Sequence, residues 1–83
     1  MDLDVFANLI WPQLEITQKT RVDYISEYTR NLLPTIGHMA LGSITKRQIA
    51  ESIATLPPQT AYKTLMVAKT LFRVAEQREL IDD

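Results

Sequence analysis

Pro58 to Ile81 read PQTAYKTLMVAKTLFRVAEQRELI, and the fold follows from how this stretch is wound. At about 100° per residue, Ala61, Leu65, Ala68, Phe72 and Ala75 fall in one narrow arc. Thr64, Val67 and Leu71 widen that arc, while Tyr62, Lys69, Arg73 and Glu76 lie opposite. The pattern predicts a long amphipathic helix over residues 58–79. Pro57 and Pro58 suit its start, because a proline in the first turn gives up only an amide that has no helical partner. A lone helix of this length is marginal in water, so the preceding residues must cover its apolar arc.

Those residues read as three shorter helices. Immediately upstream, Ile44-Thr45-Lys46-Arg47-Gln48-Ile49 carries the clearest start signal in the chain. Thr45 as N-cap with Gln48 three residues on makes a capping box, and Ile44 with Ile49 makes a hydrophobic staple. A third helix over 45–56 is predicted, burying Ile49, Ile53 and Leu56. The second helix spans 18–32, with Val22, Ile25, Thr29, Leu32 and Leu33 inward; Thr17 and Thr20 compete as its cap, Thr20 being followed by Asp23. Tyr24 and Tyr28 flank that arc, placed to bury their rings and keep their hydroxyls wet. Pro34 stops the helix, and residues 33–42 form a connector in which Gly37 supplies a turn position of positive φ. A first helix over 3–11 starts at Asp2 or Asp4, buries Leu3, Phe6, Leu9 and Ile10, and cannot readily pass Pro12; Trp11, Leu14 and Ile16 add core material beyond it.

Eighty-three residues make one small all-α domain, near the size at which a single core suffices. With 46% hydrophobic and 23% charged residues the chain should fold. The absence of cysteine removes disulfides and thiolate metal sites, and a single histidine, His38, removes a His-based cluster, so no metal or other cofactor is expected. No apolar run approaches a membrane span and the N-terminus is acidic where a secretory signal is basic, so a soluble, cytoplasmic domain is expected, with no membrane partner. The tyrosines lack an adjacent base or guanidinium cluster and the carboxylates are scattered, which argues against catalysis by this chain.

Net charge is −1, yet it is unevenly spread. Residues 1–18 and 74–83 each sum to −3, and residues 19–73 to +5. Screening confines charge effects to about 8–10 Å, so the basic middle is what a partner would meet. Lys19, Thr20 and Arg21 open the second helix, and Gln59, Thr60, Tyr62 and Lys63 open the last, joining cations, hydroxyls and free amides at helix N-termini, a combination suited to phosphate. Lys46 and Arg47 oppose the dipole of the third helix, a local cost that an anion docked there would offset. The competing reading is a solvated charged face.

The order of features adds to this. Thr20 with Tyr24, Leu33-Pro34-Thr35-Ile36-Gly37, Leu41, Ile44-Thr45, Thr60, Ala75 and Leu80-Ile81 together resemble the N-terminal core-binding, SAM-like domain of phage integrases and other tyrosine recombinases, over about residues 3 to 83. The Asn-Pro that typically follows the last helix in that family is missing; the linker to a following domain would begin at Asp82-Asp83. The resemblance implies a compact four-helix, mostly parallel bundle with a long C-terminal helix that clamps double-stranded DNA opposite a separate C-terminal catalytic domain, with room for homo-oligomers on DNA. Carried onto this chain, it implies DNA contacts from Lys19, Thr20, Arg21 and Tyr24 and from Gln59, Thr60 and Lys63. Lys46, Lys69 and Arg73 are added on charge alone. The alternative from a different class is a helical protein-interaction module whose exposed apolar residues, Met66 and Val74 among them, meet a partner helix. An independent helix-turn-helix repressor would need clearer base-reading residues.

Overall fold

The computed structural model describes residues 1–81; the expected linker start at Asp82-Asp83 lies outside them. The long C-terminal helix is present as α5 (Pro58–Gln77), with Pro58 in its first turn. Around it stand α1 (Leu3–Ile10), α2 (Gln18–Asn31), α3 (Leu33–Ile36) and α4 (Lys46–Ile53), with single 3-10 turns at Trp11–Gln13 and Leu41–Ser43. The chain is all-helical, and among the described residues the sole β-type pairing is an isolated bridge between Asp2 and Ala40. Its radius of gyration, 11.9 Å, matches the about 11.8 Å expected of one compact body of this length.

One helix more than the expected four is found, because Pro34 does not end helical structure. It lies in the first turn of α3, after a break at Leu32, where its missing amide costs nothing. The capping box on α4 forms as expected: the Gln48 amide donates to the Thr45 hydroxyl at 3.1 Å and the Thr45 amide to the Gln48 side chain at 2.8 Å. Ile44 and Ile49 both pack against the core. α4 is shorter than expected, ending at Ile53. Asp2, rather than Asp4, caps α1, its carboxylate accepting from the Val5 amide at 2.8 Å. Thr17 caps α2, accepting from the Thr20 amide at 3.1 Å.

The core joins Leu3, Phe6, Ala7, Ile10 and Trp11 from the first segment to Tyr28 and Leu32, to Ile36 and Leu41, and to Val67, Ala68, Leu71 and Ala75 of α5. More of the expected core lies outside it: Ile16, Ile53 and Leu56 are half-buried and not part of the core cluster, and α4 contributes no fully buried residue. Leu9 is 51% and Val22 54% exposed, and Thr29 is exposed too. For Val22 and Thr29 the cause is Tyr28, placed by sequence at the flank of α2 but 2% exposed. Its hydroxyl donates to Asp4 at 2.9 Å, and its ring meets Trp11 edge-on with centroids 5.6 Å apart. With its polar tip satisfied, the large ring becomes the centre of the buried face, and α2 turns Val22 and Thr29 outward to let it in. Burial, followed by the hydrogen bond and the charge of Asp4, pushes the Tyr28 phenol well above its ordinary pKa.

Two backbone features complete the frame. The Leu3 amide donates to Met39 O (3.1 Å), the Asp4 amide to Gly37 O (2.8 Å) and the Leu41 amide to Met1 O (2.9 Å), so the start of α1 is stitched to the connector. Gly37 has φ −59, not the positive value expected. A Cβ there would come within 2.7 Å of the Leu33 carbonyl oxygen and collide with the Leu33 side chain, so glycine serves close approach instead. Positive φ occurs at Glu79 (57°), just past α5. There the Leu80 amide donates to Ala75 O and the Glu79 amide to Glu76 O, both at 2.9 Å, closing the helix in a Schellman motif.

Candidate functional site

α2 and α5 pack together and leave a groove of about 380 Å³ between their outer edges. Thr20, Asp23, Tyr24 and Glu27 line it from α2, and Tyr62, Lys63, Met66 and Val67 from α5. Of the expected contacts, Thr20, Tyr24 and Lys63 therefore share one surface although some forty residues of sequence separate the two groups. Beside the groove, the Asn31 amide donates to the buried Thr64 hydroxyl at 3.0 Å and also to Glu27 at 3.0 Å, tying α2 to α5.

The chemistry of each lining group follows from its local partners. Thr17 both accepts from the Thr20 amide and donates its hydroxyl proton to Thr20 Oγ1 at 2.9 Å. The Thr20 hydroxyl thus has its acceptor side occupied, and its own proton is available to an outside oxygen. Lys63 is exposed and makes no hydrogen bond or ion pair among the described residues, and the same is true of Lys19, one turn before Asp23. Glu27 is largely withdrawn: its side chain is 15% exposed, 3.5 Å from Arg30 and hydrogen-bonded by Asn31. Tyr62 is 65% and Met66 37% exposed, presenting apolar surface beside the charges.

The first turn of α5 has no side-chain cap, so the amides of Gln59 and Thr60 lack a helical acceptor, with Gln59 exposed and Thr60 half-buried. Lys69 and Arg73 continue the stripe that Tyr62 and Met66 begin, at steps of three and four residues; both are exposed and unpaired among the described residues. Lys46 is exposed on the first turn of α4 and lines no part of the groove, while Arg47 beside it pairs with Glu51 at 3.1 Å.

Arg21 has a different position from its neighbours. Its Nε donates to Trp11 O, one Nη to Leu14 O and the other to Gln18 Oε1, each at 2.8 Å. The guanidinium turns back onto the link between α1 and α2, where it satisfies the carbonyls of Trp11, in the 3-10 turn, and of Leu14, just past it. Val74, expected at the surface, is half-buried against the core.

Sequence reasoning left Asp23 and Glu27 out of the site. Asp23 reads as the capping partner of Thr20, but Thr17 takes the cap and leaves the Asp23 carboxylate on the groove with no partner among the described residues. The second depression, about 280 Å³ between α3 and α4, is crossed by a 2.8 Å contact between the Thr35 and Ser52 hydroxyls and is a packing seam. No described helix is long and apolar enough to cross a membrane. No protein-family model, curated protein or solved structure matches this chain.

Proposed function

We propose that this chain is the DNA-binding, core-binding domain of a site-specific tyrosine recombinase of the integrase type, acting inside the cell and holding duplex DNA while a separate domain carries out strand exchange. The observation that carries the reading is the convergence of Thr20, Tyr24 and Lys63 on one groove, with exposed Lys19 next to Thr20 on α2 and exposed Lys69 and Arg73 further along α5. Phosphate oxygens would be met by lysine, by the Thr20 hydroxyl proton and by the uncapped amides of Gln59 and Thr60. Arg21 spends its guanidinium on holding the α1–α2 link, with little left to offer DNA.

So few free cations imply weak binding that falls steeply with salt. Each neutralised phosphate adds roughly −0.9 to the log–log slope, so contacts by Lys19, Lys63, Lys69 and Arg73 together give a slope of about −3.6. Titrating labelled duplex at several low salt concentrations tests this. Lys63→Ala should reduce the slope by roughly 0.9 without altering stability; a duplex that does not bind at all, or binds with a slope indifferent to Lys63, counts against the reading.

The exposed Tyr62 and Met66 in the same groove favour a second reading, a surface for a partner helix. Amide shift changes on adding duplex distinguish the two, clustering at residues 19–24 and 59–63 under the first and missing them under the second.

A further inference from the structure

Two carboxylates on a groove meant for a polyanion are unfavourable unless each has something to do. Glu27 does: Arg30 and Asn31 occupy it and it is mostly buried. Asp23 does not. It is exposed, one turn after Lys19 on the same face of α2, shares the groove with Lys63, and has no partner among the described residues. Any phosphate drawn in by those two lysines would be repelled by it. In a DNA duplex, groups that could offset this repulsion are the exocyclic amino donors in the major groove, cytosine N4 and adenine N6. Adenine sets the N7 acceptor beside its amino group, which would face the second carboxylate oxygen. Cytosine has only a C–H there, so a carboxylate reads cytosine with less penalty.

We propose that Asp23 is a specificity-determining residue that accepts a hydrogen bond from cytosine N4 in the major groove, giving an otherwise phosphate-directed surface one base preference. This rests on the DNA-binding reading above. The tests are retention of DNA from a randomised duplex pool at low salt, with sequencing of the bound fraction, for the wild type, Asp23→Ala and Asp23→Asn. An exposed side chain without partners can be replaced without disturbing the fold, which circular dichroism checks.

The wild type should enrich a C·G pair at one position by ~5-fold or more relative to Asp23→Ala. Asp23→Asn should move that position toward adenine, whose N6 and N7 match an amide. If Asp23→Ala binds all sequences more tightly but with the wild-type base preference, the carboxylate acts only through its charge: the cytosine assignment is overturned and DNA binding stands. If the wild type retains no DNA, both fall together.

Discussion

Replacing Arg21 by alanine should destabilise the domain far more than an exposed arginine normally would. Its guanidinium donates at 2.8 Å to the carbonyls of Trp11 and Leu14, and holds Gln18 at the same distance. Hydrogen bonds from a charged donor are worth about 1.5–3 kcal/mol each. Both carbonyls lie in a part-buried link that water can partly reach once the side chain is gone, so the combined loss is about 2–3 kcal/mol. A domain of this length has roughly 4–12 kcal/mol in total. With a urea dependence near 1 kcal/mol/M for so small a protein, the midpoint should fall by about 2–3 M. Helical circular dichroism follows the global transition, and Trp11 fluorescence follows the link itself, since Trp11 O is one of the acceptors. Arg21→Lys should recover little, because an ammonium cannot reproduce the planar fork that spans both carbonyls. A midpoint for Arg21→Ala within 0.5 M (~0.5 kcal/mol) of the wild type would mean that water replaces the guanidinium freely and that the clamp is incidental.

Tyr28→Phe keeps the ring against Trp11 and removes the donor to Asp4, for an expected loss of about 1.5 kcal/mol by urea titration. The raised phenol pKa gives a second readout. Its stabilising contribution is present in full below the unfolded value near 10 and is lost as pH rises beyond it, at up to ~1.4 kcal/mol per pH unit. Above pH ~10 the wild type should therefore lose stability more steeply than Tyr28→Phe, and parallel curves would show the phenol ionising as easily in the fold as outside it. Glu79→Gly should raise stability by about 1 kcal/mol, by relieving a side chain held at φ 57° while keeping the Schellman hydrogen bonds; an unchanged thermal midpoint would contradict this. Gly37→Ala should cost about 1–3 kcal/mol in urea titration, since its Cβ must displace Leu33 and disturb the carbonyl that receives the Asp4 amide.

Local signals carried much of the architecture. The capping box at Thr45 and Gln48, the proline entry to α5 and the apolar arc through Ala68 and Ala75 each depend on residues within a few positions of one another, and each is found where its spacing placed it. The rotation of α2 was not legible in this way. Periodicity ranks Val22 and Thr29 above a tyrosine for burial, whereas the folded chain brings Asp4, twenty-four residues away, to the Tyr28 hydroxyl and Trp11 to its ring. Gly37 is a different case: its need for glycine comes from crowding by Leu33, one turn away, and not from the positive dihedral that the turn signal suggested.

The candidate surface divides along the same line. Composition and helix starts single out Lys19, Thr20 and Lys63 as candidates for phosphate contact, while Tyr24 enters on the family resemblance alone. Folding decided that Thr20, Tyr24 and Lys63 border one groove, that Arg21 turns inward to serve the backbone, and that Asp23 stands among them without a hydrogen-bond or ion-pair partner among the described residues. Helix propensity and capping are written in short windows because the hydrogen bonds that express them close within one turn. Which faces meet, and which side chains are consumed in making them meet, depends on packing between segments distant in the chain, and there tertiary structure alone decided.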